Sequence, residues 1–318
     1  MAERCELRGE LIDGRYRVGA CIGVGGTGVV FEARREQDGE LLALKTMRPI
    51  YAYNVDLGRR LRREAEVART VSHPGIVPVL DEGILSDGSP YIVMQHVAGE
   101  PLSRFIHRSG ILGEREIGAI VMRVCAILHA VHGHGYVHRD IKPEHVLLDR
   151  TDSGALDVTL LDFGVCAAET APSDERNREN GRVFGTPSYV SPEQAGGIPE
   201  VDARADVWAL GVVMFEALTG RLPFSAPSVS VLLRRIIRED APRVGLVAPH
   251  VSWEMDAVVA RALSREPEER FPTARALGRA LAPIVGDRLD AERRLGRHLR
   301  VGQDAGDRAT TTPEVAAA

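Results

Sequence analysis

The chain has 318 residues, enough for one large domain or two lobes around a sizeable core. Apolar residues at 44% and charged residues at 27% exclude wholesale disorder, and a net charge of -5 argues against binding driven by a nucleic-acid backbone. Of 40 Lys and Arg residues only Lys45 and Lys142 are lysines, so these two compact ammonium groups mark candidate sites for chemistry.

In chain order, residues 16–47 read as three antiparallel strands, with apolar runs at 29–31 and 41–44 separated by a glycine cluster and a polar turn. Residues 56–71 change period: Leu57, Leu61, Ala65 and Ala68 recur three or four apart among arginines, which predicts an amphipathic helix. Runs at 76–85 and 91–97 return to strand character, giving an expected five-stranded sheet with one helix. After Pro101 the spacing predicts helices over 114–132, 204–219, 228–238, 253–263 and 273–283, with Ser252 capping the fourth. Short apolar runs at 146–148 and 158–161 interrupt them. The charged stretch 169–182 reads as a surface loop, 286–301 as an arginine-rich helical segment and 302–318 as a disordered tail.

The four cysteines, Cys5, Cys21, Cys125 and Cys166, are scattered and form no CxxC pair, which fits neither a zinc site nor a disulfide framework. The first fourteen residues are charged, and no segment approaches eighteen uninterrupted apolar residues. A cytoplasmic protein with no membrane span is therefore the expectation.

Several motifs carry chemistry. Ile22-Gly23-Val24-Gly25-Gly26-Thr27-Gly28-Val29-Val30 joins two predicted strands, so its backbone amides can approach phosphate oxygens. A dinucleotide fold is disfavoured because a strand follows the glycines. Leu42-Ala43-Leu44-Lys45 lies on the third strand, and Glu64 lies mid-helix. Then come His138-Arg139-Asp140-Ile141-Lys142-Pro143, Leu161-Asp162-Phe163-Gly164, Gly185-Thr186-Pro187, Ser191-Pro192-Glu193, Asp206-Val207-Trp208 and Pro267-Glu268-Glu269-Arg270-Phe271.

In this order, from Tyr16 to about Pro283, the set resembles the eukaryotic-type protein kinases, most closely their bacterial Ser/Thr branch. The resemblance implies a two-lobed α+β fold, with an N-terminal extension at 1–15, a small antiparallel-sheet lobe at 16–97, a large helical lobe at 98–285 and a further segment at 286–318. It implies ATP with Mg2+ as cofactors and Ser/Thr hydroxyls of proteins as acceptors, with no nucleic-acid partner. Oligomeric state stays open. By the same resemblance Lys45 holds the ATP phosphates and pairs with Glu64, Asp140 orients the acceptor hydroxyl and takes its proton, Lys142 steadies the transferring group, and Asp162 binds the metal. Val30 and Ala43 roof the adenine, and Gln95, His96 and Val97, after Met94, offer hinge backbone groups to its edge. Glu193 and Arg270 form a buried ion pair, Asp206 anchors the catalytic loop, and His129, His132, His134 and His138 read as structural.

Two departures stand out. His145 occupies the position where the family carries a metal-binding asparagine, and imidazole suits Mn2+ better than Mg2+. A slower kinase, a manganese-favouring kinase and a nucleotide-binding pseudokinase are all open, and acid below about pH 6.5, the ordinary imidazole value, is expected to charge the ring. Residues 174–185 contain no Ser, Thr or Tyr, so loop phosphorylation at the usual place is unavailable. Thr170 and Ser173 lie earlier, Thr186 faces the substrate, and Glu175 or Glu179 is expected to fill the basic pocket around Arg139.

Overall fold

Side chains that alternate inward and outward through the first hundred residues need a sheet with one apolar face, and the computed structural model shows how that face is used. It describes residues 7–150, 155–164, 167–168, 187–287, 290–292, 295 and 299. Strands β1 (Leu11–Ile12), β2 (Tyr16–Val24), β3 (Gly28–Arg35), β4 (Leu41–Met47), β5 (Val79–Ile84) and β6 (Pro90–Gln95) form an antiparallel sheet in the order β1-β2-β3-β4-β6-β5. Val18, Val29, Phe31, Leu42, Leu44 and Val93 fill the core on one face. The register pairs Val30 with Lys45, Lys45 with Ile92 and Ala43 with Met94, which puts these residues on the other face.

Helix α1 (Val55–Thr70) covers part of that second face, packing Leu61 and Ala65 on Ile92. Asn54 caps it by accepting from Leu57 N at 3.1 Å, a contact worth about 1 kcal/mol. Val67 and Val71, at its other end, belong to the large-lobe core, so the helix bridges the two lobes.

The sheet has six strands where five are expected. Leu11–Ile12 pairs with Tyr16 and Arg17, so the sheet reaches into the expected N-terminal extension. Two residues are too few to show a period. Left-handed Asp13 and Gly14 make the turn, and Tyr91 donates its hydroxyl to Asp13 to hold it.

The large lobe is built on α3 (Glu114–Gly133) and the nearly wholly buried helix Arg204–Thr219. By length and composition α3 is apolar enough to cross a membrane, yet ten of its residues are buried in the lobe's own core. The expected helices appear as Val229–Arg238, Trp253–Ala262 and Ala274–Val285, with Ser228, Ser252 and Thr273 as side-chain N-caps. Helix α2 (Leu102–Ser109) and the single turns Pro192–Ala195 and Val244–Val247 are additions; each is too short for its apolar spacing to stand out.

The interrupting apolar runs become β9 (Val146–Arg150) and β10 (Leu156–Leu160), joined in a three-stranded sheet by β7 (Glu100–Pro101). A second small sheet pairs β8 (Tyr136–Val137) with β11 (Ala167–Ala168). Past Val285, Arg123 donates to Glu292 at 2.9 Å through two nitrogens, and Ala291, Leu295 and Leu299 are buried against the lobe. The expected tail, 302–318, lies outside the described residues.

Candidate active site

Strand β4 and helix α1 meet where the sheet's second face turns toward the large lobe. Lys45 Nζ donates to Glu64 Oε2 at 2.6 Å and Oε1 at 2.9 Å, and stands 3.2 Å from Asp162 Oδ1. Burial alone would lower the Lys45 pKa, but the charges of Asp162 and Glu64 outweigh it, so the ammonium is held cationic. Burial pushes Glu64 up while Lys45 opposes it. Asp162 ends well below the usual carboxylate range: burial raises it, and the Lys45 ammonium more than compensates.

Asp140 and Lys142 face this cluster from the loop between β8 and β9. Lys142 Nζ donates to Asp140 Oδ2 at 2.8 Å. Burial raises the Asp140 pKa against the pull of Lys142, the direction that improves a proton acceptor. The loop is held from beneath by Asp206, whose carboxylate accepts from His138 N at 2.9 Å, from Arg139 N at 2.8 Å and from His132 Nε2 at 2.7 Å. Those bonds support Arg139 in a left-handed conformation (φ 66°) that a side chain as large as arginine seldom adopts. Asp162 is left-handed too (φ 64°).

The glycine hairpin closes as expected, with Gly25 N donating to Gly28 O at 2.9 Å. None of its glycines has positive φ; the tight one is Gly28, where a Cβ would lie 3.1 Å from Thr46 O. Ile22, Val24, Gly25, Gly26 and Thr27 are exposed at the tip. Val29 is corrected: its side chain is buried in the small-lobe core, because strand alternation turns it away from the face that carries Val30. Gln95 is narrowed: its N–H donates to Pro78 O at 3.1 Å, so only its carbonyl can serve an adenine edge, beside His96 and Val97.

His145 is turned into the site. Its Nδ1 is 3.0 Å from the Asp140 carbonyl, which only accepts, so Nδ1 carries the proton and Nε2 presents a lone pair. That lone pair lies 3.5 Å from Asp162 Oδ2. Burial, with Lys142 adding to it, lowers the ring to about 4 against the pull of Asp162. The expected titration near pH 6.5 is therefore corrected: the ring stays neutral through that range. A carboxylate oxygen and an imidazole lone pair facing each other without a proton between them fit a shared divalent cation. Among the described residues no group of three His, Cys, Asp or Glu side chains is placed to hold one, so a cation held here would draw its remaining ligands from phosphate and water.

Scaffold expectations hold as well. Arg270 donates to both Glu193 oxygens at 2.7 Å with both side chains buried. His132 serves Asp206, His134 Nδ1 is 2.8 Å from Ala130 O, and His138 Nε2 is 3.2 Å from Leu161 O. His138 also meets the Phe163 ring edge-on at 5.0 Å, coupling the two catalytic segments through a role that sequence reading missed. The adjacency of both residues to motif aspartates was the available signal. Thr170, Ser173, Glu175, Glu179 and Thr186 lie outside the described residues.

Residues 16–280 match the protein kinase domain family. The serine/threonine-protein kinase pkn3 of Myxococcus xanthus is 35% identical over 286 residues, which cover 89% of this chain and 52% of the relative. Serine/threonine-protein kinase PknB of Mycolicibacterium smegmatis is 36% identical over 263 residues, covering 82% and 41%. This chain belongs to the protein kinase domain family, in its bacterial Ser/Thr branch, as the motifs imply. It spans about half the length, or less, of these relatives.

Proposed function

We propose that this chain transfers the γ-phosphoryl group of ATP to serine or threonine hydroxyls of proteins. The observation that carries the reading is the convergence of Lys45, Glu64 and Asp162 on one side and Asp140 with Lys142 on the other. Phosphoryl transfer asks the protein mainly for position and positive charge, and this cluster supplies both. Lys45 meets phosphate oxygens with Glu64 fixing its direction. Asp140 accepts the proton of the acceptor hydroxyl, and Lys142 holds that carboxylate while placing charge beside the group in transit. A bound divalent cation neutralises phosphate charge; Asp162 Oδ2 and His145 Nε2 are the atoms that would hold it.

A mixed oxygen and nitrogen donor set suits manganese better than magnesium, which prefers oxygen throughout. Manganese preference is thus the finer reading, and a cytoplasmic setting agrees with the free thiols of Cys21 and Cys125. The test is transfer of label from γ-labelled ATP to a general protein substrate with each metal at equal concentration. The wild type should favour manganese, and His145→Asn should narrow the preference. A wild type silent with both metals beside an active Asn variant would make the natural chain a nucleotide-binding pseudokinase.

A further inference from the structure

The register of α1 decides whether Glu64 meets Lys45, and the buried face of α1 is held by apolar contacts. Leu61 and Ala65 rest on Ile92, and Val67 and Val71 enter the large-lobe core. Such contacts are non-directional, and rolling the helix by one residue, about 100°, would carry Glu64 off the ammonium. Directional contacts at its C-terminal half oppose the roll: Arg69 stands 3.2 Å from Glu82 of β5 on the small-lobe side, and from the large lobe Tyr136 donates its hydroxyl to Glu66 Oε1 at 3.0 Å.

We propose that Tyr136 and Glu66 are a positioning pair that pins α1 to the entry of the catalytic loop and keeps Glu64 on Lys45. The proposal rests on the kinase reading. Tyr136 is buried and sits in β8, two residues before His138, whose backbone N–H is held by Asp206. Its strand partner is Ala168 in β11, downstream of Asp162. The pin therefore joins the helix that carries Glu64 to both segments that carry the catalytic aspartates. Glu66 is exposed, so the bond lies at the rim of the interface, and its own turn is braced by Thr70 Oγ1 donating to Glu66 O at 2.8 Å. The stretch 174–185 offers no hydroxyl for a phosphate to do this work from the other side.

Tyr136→Phe removes one oxygen and leaves the packing, so the full chain should fold. Hydrogen exchange of amides 64–70 in Tyr136→Phe and in Glu66→Ala should quicken about three- to tenfold, the worth of one net hydrogen bond. Under saturating ATP, kcat should fall by a similar factor with KM for the protein acceptor unchanged. Glu66→Gln keeps an acceptor and should restore both readouts, while the double variant Tyr136→Phe with Glu66→Ala should be no worse than either single. Unchanged exchange in Tyr136→Phe, or additive losses in the double variant, would overturn the pin. A wild type that transfers no phosphate, but whose α1 exchange still responds to Tyr136→Phe, would sink the kinase reading and support the pin.

Discussion

At the scale of single residues, His145 has the most consequential surroundings. In the unfolded chain its imidazole takes a proton as pH falls through 6.5, whereas in the fold burial delays this to about pH 4. Between those values the unfolded state binds more protons, so acidification destabilises the fold through this residue by about 3 kcal/mol across the window. Denaturant melts at pH 7 and pH 4.5 should show the wild type losing more stability than His145→Asn. Parallel losses would mean that the ring is solvated in the fold. The sequence showed that an imidazole stands where the family has an amide. It did not show which ring nitrogen faces Asp162, because that is set by the bond from Nδ1 to the Asp140 carbonyl, a matter of loop geometry. The bond from Tyr136 to Glu66 was equally hidden, since a phenol and a carboxylate in separate elements follow no periodic rule.

At the scale of elements, legibility followed length and period. The strands that carry Lys45 and the glycine hairpin, and the helix that carries Glu64, announced themselves by alternation and by three-four spacing. Two-residue strands and single helical turns did not, and they owe their form to neighbours: β1 exists because β2 offers it a partner. Arg270 shows how irregular segments are fastened to regular ones. Its guanidinium donates to both Glu193 oxygens and to the carbonyls of Ser264, Arg265 and Arg204, and lies 5.1 Å from the centre of the Trp208 ring. Removing one partner of a buried pair leaves the other charge desolvated, so Arg270→Ala should cost about 3–5 kcal/mol in urea unfolding. A loss below about 1 kcal/mol would show that water reaches Glu193 and that the pair is not a fastening.

At the scale of the molecule, the candidate catalytic groups come from both lobes and converge where the lobes meet. Lys45 belongs to the small lobe, Asp140 and Asp162 to the large one, and α1 is packed into both. On the proposed kinase reading this placement divides the labour: the small lobe would direct the nucleotide, and the large lobe the acceptor. The family motifs made that placement readable in the sequence, but the 3.2 Å approach of Lys45 to Asp162 is set by how the two lobes pack together, which no local pattern carries. The most direct test compares Asp140→Asn with Lys45→Met by measuring nucleotide affinity and label transfer on the same preparations. The account predicts that Asp140→Asn binds ATP nearly as the wild type does yet transfers no label to serine or threonine, while Lys45→Met loses transfer and weakens binding. Wild-type transfer by Asp140→Asn would contradict it.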